Sequence, residues 1–218
     1  MTNQADHADE LRILGCGDAA FLAEFPNLDS VLAHYRGLTK GGPAAGSLPA
    51  GVIDVVPAAR TILVTFNPSV IEGAAVHHWI RSTPPERSGA PVGSEVQIEV
   101  RYGGPDLSDV AHHLGVSEAQ VVNLHTGSAW TAAFSGFAPG FVYLVTDHAR
   151  LHVPRRSNPR TTVPAGAVGL AGEFSGVYPR QSPGGWQLIG TTTAVLWDAS
   201  RREPALIQPG DTVRFVEA

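Results

Sequence analysis

The chain has one cysteine, Cys16, in 218 residues. A lone thiol excludes an internal disulfide framework and a cysteine-rich zinc site, and it suits a reducing compartment. No apolar run approaches the roughly 20 residues that a membrane span needs. Residues 1–10 are polar and acidic, without the basic flank and apolar core of an export signal. The expected location is therefore cytoplasmic. Positive charge is also short: 15 Lys+Arg against 20 Asp+Glu leave a formal net charge of −5. That balance offers no overall attraction to nucleic acid or to an anionic membrane, and neither is expected as a partner. The sequence contains no internal repeat, low-complexity tract, His-Glu-x-x-His helix or phosphate-binding glycine loop.

What is present is globular. Hydrophobic residues make up 43% and charged residues 16%, a composition that buries a core. The length suits one large domain or two small ones. Leu11–Leu14 and Ala20–Phe25 are short apolar runs on either side of a turn at Gly15–Asp18 and predict two strands. Leu28, Val31, Leu32, Tyr35 and Leu38 recur at helical spacing until Gly41-Gly42-Pro43, which predicts an amphipathic helix over Asn27–Leu38. Val52–Val56 and Thr61–Phe66 predict a hairpin around Pro57-Ala58-Ala59-Arg60, and a second helix runs from Ser69 to about Ile80. The order strand, strand, helix, strand, strand, helix predicts helices on one face of a mainly antiparallel sheet.

Ser82–Gly93, rich in proline and small residues, reads as a linker. Beyond it Glu95–Tyr102 alternates as a strand, and two short helices follow. After Thr131, Phe141–Val145, Val168–Ala171, Gln187–Ile189, Ala194–Trp197 and Thr212–Val216 are brief apolar runs between glycine and proline turns. That rhythm predicts a closed or nearly closed β-barrel. The expected class is α+β, with an α/β sandwich domain over 10–83 and a barrel domain over 94–218.

Asp106–Gly127 resembles a helix-turn-helix, with Ala111, Gly115 and Val121 at its small, glycine and aliphatic positions. The second helix, Glu118–His125, carries no lysine or arginine, so the expectation is two helices packed on the barrel flank rather than a DNA reader. Ser117 and Gln120 form a capping box for that helix. Nine histidines invite a metal reading. His77-His78 and His112-His113 are adjacent, however, and point to different helix faces, so no metal is expected. His125 stands apart, because it closes a helix and leads into the glycine-rich part of the chain.

Arg150, Arg155, Arg156 and Arg160 fall in one short segment with a single acid, Asp147. Pro154 and Pro159 stiffen its backbone, and guanidinium forks on stiff backbone suit carboxylate or phosphate. Gly136-Phe137-Ala138-Pro139-Gly140-Phe141, Val163-Pro164-Ala165-Gly166 and Ser182-Pro183-Gly184-Gly185-Trp186 are turns at which backbone amides can approach a ligand.

Taken in order with Val100–Leu107, Gly176-Val177-Tyr178-Pro179 and Pro209-Gly210-Asp211, these motifs resemble the carboxyltransferase C/D-subdomain family. That family includes the B-type component of 5-oxoprolinase, the sporulation-kinase inhibitor KipI, chains called allophanate hydrolase subunit 1 and part of urea carboxylase. The resemblance is dense from Val100 onward and looser before it. It implies an amino-terminal α/β domain and a cyclophilin-like barrel. It also implies one subunit of an ATP-dependent 5-oxoprolinase, which opens a lactam to glutamate with ATP as co-substrate, together with magnesium. The implied partners are a homologous barrel subunit of the C type and a third subunit. A kinase inhibitor and a urea- or allophanate-related subunit are the alternatives. Within this resemblance Arg155, Arg156, Arg160 and Ser175 are expected to bind substrate or phosphate, and His125 or Tyr178 to assist proton transfer. Phe174-Ser175 stands where the family pattern leads one to expect Gln-Thr.

Overall fold

The computed structural model describes residues 11–40, 48–87, 93–147 and 149–218. The chain divides into two compact units, Met1–Ala90 and Pro91–Ala218.

The first unit contains β1 (Arg12–Gly15), β2 (Ala20–Glu24), α1 (Leu28–Lys40), β3 (Val52–Pro57), β4 (Thr61–Phe66) and α2 (Gly73–Ser82). Its strands form one antiparallel sheet in the order β1-β2-β4-β3. Alternation along β4 decides which face is covered. Ile62, Val64 and Phe66 are buried, whereas Thr61, Leu63 and Thr65 stay partly exposed. Val31 and Leu38 from α1 and Val76 and Ile80 from α2 join the buried set in one apolar cluster. Both helices therefore cover the same face, as the element order predicts. The Asn27 side chain accepts the Ser30 amide at 2.9 Å and opens α1. The expected stop at Gly41-Gly42-Pro43 lies outside the described residues. So does part of the expected linker, residues 88–92; Ser82 still belongs to α2, and 84–87 carry no regular structure.

The second unit begins with β5 (Glu95–Tyr102), α3 (Leu107–Leu114) and α4 (Glu118–Thr126). It continues through β6 (Trp130–Ser135), β7 (Val142–Val145), a 3-10 turn (Ala149–Leu151), β8 (Arg160–Val163), β9 (Ala167–Ala171), β10 (Phe174–Val177), β11 (Ser182–Gly184), β12 (Gln187–Thr191) and β13 (Thr212–Glu217). Seven strands close into a barrel in the order β10-β7-β6-β13-β5-β12-β9, while β8 and β11 pair as a separate ribbon. The carboxy-terminal strand β13 lies parallel to β5 from Thr212↔Glu95 to Glu217↔Val100 and antiparallel to β6. The α+β class and the closed barrel expected from the sequence are both present.

The two helices pack against the barrel through Leu107, Val110 and Ala111 of α3 and Val121 and Val122 of α4, in one cluster with Ile98, Trp130 and Phe215. Gly115 takes the left-handed cap between them (φ 67°), and Ser117 and Gln120 form the capping box. One expected strand is absent. Ala194–Trp197 is irregular apart from an isolated bridge between Trp197 and Ala205. Its backbone bonds are local, Leu206 N–H to Leu196 O at 2.9 Å and Asp198 N–H to Pro204 O at 2.9 Å, so the apolar run forms a loop with its own return segment. Among the described residues, no helix is long and apolar enough to cross a membrane.

Candidate functional site

The glycine-rich turn between β6 and β7 sets one wall of a pocket. The Phe141 amide donates to Ala138 O at 2.9 Å and the Gly136 amide to Phe141 O at 3.2 Å, which closes the turn. Gly140 adopts φ 82°, and a Cβ there would press on Trp197 and on the Leu196 carbonyl. Phe137 also takes a left-handed backbone, φ 66°, and among the described residues no other non-glycine does. For a bulky side chain that conformation costs about 1–3 kcal/mol.

The ribbon of β8 and β11 supplies the opposite wall. The Arg156 amide donates to Gly185 O at 2.8 Å, and Gln187 Nε2 donates to Pro154 O at 3.2 Å. These two bonds stitch the 154–156 segment to the turn that joins β11 to β12 and to the first residue of β12. Phe141, Tyr143, Tyr178, Trp186 and Arg155 line the resulting pocket of about 70 Å³, with Phe137 and the Gly184–Gly185 backbone completing it. The rings meet edge to face: Phe141–Tyr178 centroids are 5.4 Å apart at 74°, and Phe141–Trp186 centroids 5.3 Å apart at 88°. Gly184 has no side chain because Tyr178 Oη occupies the space a Cβ would take.

Arg155 brings the positive charge to the lining of this pocket. Burial pushes the Tyr143 phenol up, while the charge of Arg155 and a hydrogen bond from it pull the other way. Tyr178 is likewise raised by burial, against the Trp186 amide bonded to it and the charges of Arg155 and Arg160. The net direction is upward for both, so both phenols remain protonated donors at neutral pH.

Arg156 and Arg160 have a different partner. Arg156 Nη1 and Arg160 Nη2 donate to the same Asp106 oxygen at 2.6 and 2.7 Å, and the other oxygen accepts the Leu188 amide at 2.6 Å. Asp106 is buried. Burial pulls its carboxyl upward, but the hydrogen bonds of Arg160 and Leu188 and both arginine charges outweigh it and hold the group below the usual carboxylate range. The clamp leaves Arg156 Nε and Arg160 Nη1 buried without a hydrogen-bond partner. Gly104 makes the clamp possible, since a Cβ there would collide with the Leu188 carbonyl.

His125 and Ser175 lie elsewhere, inside the barrel, and both are fully buried. Tyr102 Oη meets His125 Nδ1 at 2.7 Å, and Ser175 Oγ meets Nε2 at 2.8 Å. The imidazole stacks on Phe215 with centroids 4.3 Å apart. Burial drives its pKa down to about 3, so it is neutral at physiological pH.

Of the six residues expected at the site, Arg155 and Tyr178 therefore line the pocket. Arg156 and Arg160 brace its wall, each through a terminal nitrogen held by Asp106. His125 and Ser175 do not reach the pocket, because a chain of hydrogen bonds holds them in the core. Phe137 and Trp186 belong to turns already marked as ligand-approach points and Asp106 to the Val100–Leu107 motif, but neither their side chains nor Tyr143 were among the six. A signal for Tyr143 existed, since it sits two residues beyond Phe141, the end of the glycine-rich turn. Among the described residues no group of three or more His, Cys, Asp or Glu comes together. Cys16 is exposed.

A family model of the carboxyltransferase domain, subdomains C and D, matches residues 11–207. Over 169 residues the chain is 45% identical to the B-type component of 5-oxoprolinase from Escherichia coli O157:H7, a stretch covering 76% of this chain and 78% of that protein. Over 127 residues it is 46% identical to the corresponding 5-oxoprolinase component of Haemophilus influenzae, covering 57% and 60%. Among solved structures, TTHA0988 superposes with a TM-score of 0.73 at 35% identity, over 96% of this chain and 40% of that one. The chain thus spans less than half the length of that solved relative.

Proposed function

The chain belongs to the family of carboxyltransferase domains, subdomains C and D, and from that membership we propose that it is the B-type component of a hetero-oligomeric, ATP-dependent 5-oxoprolinase. The observation that carries the reading is the 45% identity over 169 residues to its bacterial counterpart. Opening the lactam of 5-oxoproline adds water across the ring C–N bond: the carbonyl carbon gains a hydroxyl, the nitrogen gains a proton, and glutamate results. An amide is a poor electrophile, and coupling to ATP supplies the driving force.

This chain's share of that work is anion binding and positioning. Arg155 holds a carboxylate of the substrate. The phenols of Tyr143 and Tyr178, kept protonated by burial, donate hydrogen bonds to an oxygen that gains negative charge. Asp106, by pinning Arg156 and Arg160, keeps the wall that carries Arg155 in place. His125 and Ser175 support the barrel behind it.

ATP does not fit the pocket: about 70 Å³ is far below the several hundred that a site for a molecule of that size takes. In this reading ATP, with magnesium, binds outside this pocket, a homologous barrel protein of the C type and a third component complete the assembly, and the assembly works in the cytoplasm.

The test is ADP release by the chain co-purified with its candidate partner subunits, with and without 5-oxoproline. Release stimulated by 5-oxoproline, with glutamate appearing in step, is the expected result. ATP turnover indifferent to 5-oxoproline would remove this substrate.

A further inference from the structure

Phe137 carries backbone strain without hiding its ring. At φ 66° its side chain stays 58% exposed, so burial does not compensate for the unfavourable conformation. What the strain achieves is placement. The ring stands edge-on to Phe141 at 5.3 Å and 75° and to Tyr178 at 6.1 Å and 84°, at the rim of the pocket that holds Arg155. Strained residues persist where the surrounding structure holds them for a purpose.

The composition of the pocket narrows what it takes. Arg155 is its charged lining residue, and among the described residues no carboxylate lines it. Its volume of about 70 Å³ is small beside the several hundred of an ordinary small-molecule cleft. That admits a carboxylate and an adjoining atom but leaves the rest of a ring at the rim, where Phe137 stands. A phosphate dianion fits poorly, because one guanidinium and two phenols among apolar walls do not replace its hydration. A monoanion with a flat, partly apolar body matches the lining.

We infer that this pocket binds the carboxylate end of a small planar cyclic acid, with Arg155 as the anchor and Phe137 as the specificity-determining residue that covers the ring. The inference rests on the proposed function in naming 5-oxoproline as that acid and in placing its carboxylate on Arg155, and it adds the residue that selects the ring.

The experiment titrates the full ¹⁵N-labelled chain with 5-oxoproline, with 2-pyrrolidinone, which keeps the lactam and lacks the carboxylate, and with inorganic phosphate. The expected result is that 5-oxoproline shifts the Gly184 and Gly185 amides and the Trp186 indole, and that the other two probes do not at equal concentration. Arg155→Gln weakens binding at least tenfold. Phe137→Gly weakens it at least threefold while leaving the melting temperature equal or higher, since glycine accepts this backbone without strain. That combination separates a role in binding from a role in folding. The inference is overturned by an absence of shifts at these residues, by equal shifts from phosphate or 2-pyrrolidinone, or by unchanged affinity in either variant. Because the titration needs neither ATP nor a partner, its failure is distinct from a failure of 5-oxoproline to stimulate ADP release.

Discussion

Replacing Asp106 by Asn probes how much of the pocket wall depends on one carboxylate. The change keeps shape and removes charge. Asp106 accepts three hydrogen bonds, two from guanidinium groups and one from the Leu188 amide. An asparagine side chain has a single oxygen, so its NH₂ group faces either the Leu188 amide or, if it turns over, both guanidinium groups. Hydrogen bonds to charged groups contribute about 1.5–3 kcal/mol each, and breaking a buried ion pair costs about 3–5 kcal/mol. The arginine side chains keep 31% and 23% of their exposure, which places the expected loss near the lower end, at about 3 kcal/mol. Urea unfolding of the wild type and of D106N at pH 7 measures it. The carboxyl is held below its ordinary value of 3.8, so the unfolded chain takes up this proton first. Its contribution is whole above that value and fades as pH falls through the lower, folded one. The gap between wild type and D106N should therefore narrow in acid. A difference under about 1 kcal/mol at pH 7, or one that does not shrink below about pH 4, refutes the account of the clamp.

Burial holds the folded His125 imidazole uncharged down to about pH 3, whereas an unfolded chain protonates it near 6.5. The unfolded state then binds more protons across that window, and native stability falls as pH drops from 6.5 towards 3. The ¹⁵N shifts of the His125 ring should stay flat from about pH 8 to about pH 4; titration near pH 6 would contradict its burial. Gly184→Ala places a methyl against Tyr178 Oη, and overpacking of this kind costs about 1–3 kcal/mol. Melting should fall by the corresponding few degrees and 5-oxoproline-stimulated ADP release should drop further, whereas unchanged melting and turnover would show that Tyr178 moves aside freely.

The parts of the fold legible in the sequence are those where one rule acts alone. β4 and β5 alternate cleanly because each has one buried face, and α1 shows its stripe because Val31 and Leu38 face a sheet. β6 escaped notice for two reasons. Ala132 and Ala133 blur the contrast between faces, and a bulge between Ala132 and Phe134 breaks the period of two. Ala194–Trp197 misled in the opposite direction, since an apolar run without a neighbouring strand gains no ladder. At the site, the arginine excess was visible locally, but Asp106 lies 50 residues from Arg156 and 54 from Arg160 in sequence. Composition cannot say which arginine such a distant acid engages. His125 was marked by its place at a helix end; that the same position points into the barrel depends on Tyr102, Ser175 and Phe215, from three separate strands.

The parallel seat of β13 between β5 and β6 governs the order in which the barrel is completed during synthesis. Until Thr212–Glu217 emerges from the ribosome, β5 and β6 each wait with a row of unpaired amides and carbonyls, and Phe215 is missing from the face of His125. A nascent chain exposes one such edge on β5 and, once Trp130–Ser135 is made, a second on β6, until its last barrel strand arrives. Closure then depends on contacts spanning more than a hundred residues, which makes it slow, and a chaperone that shields β5 and β6 would have its largest effect in that interval.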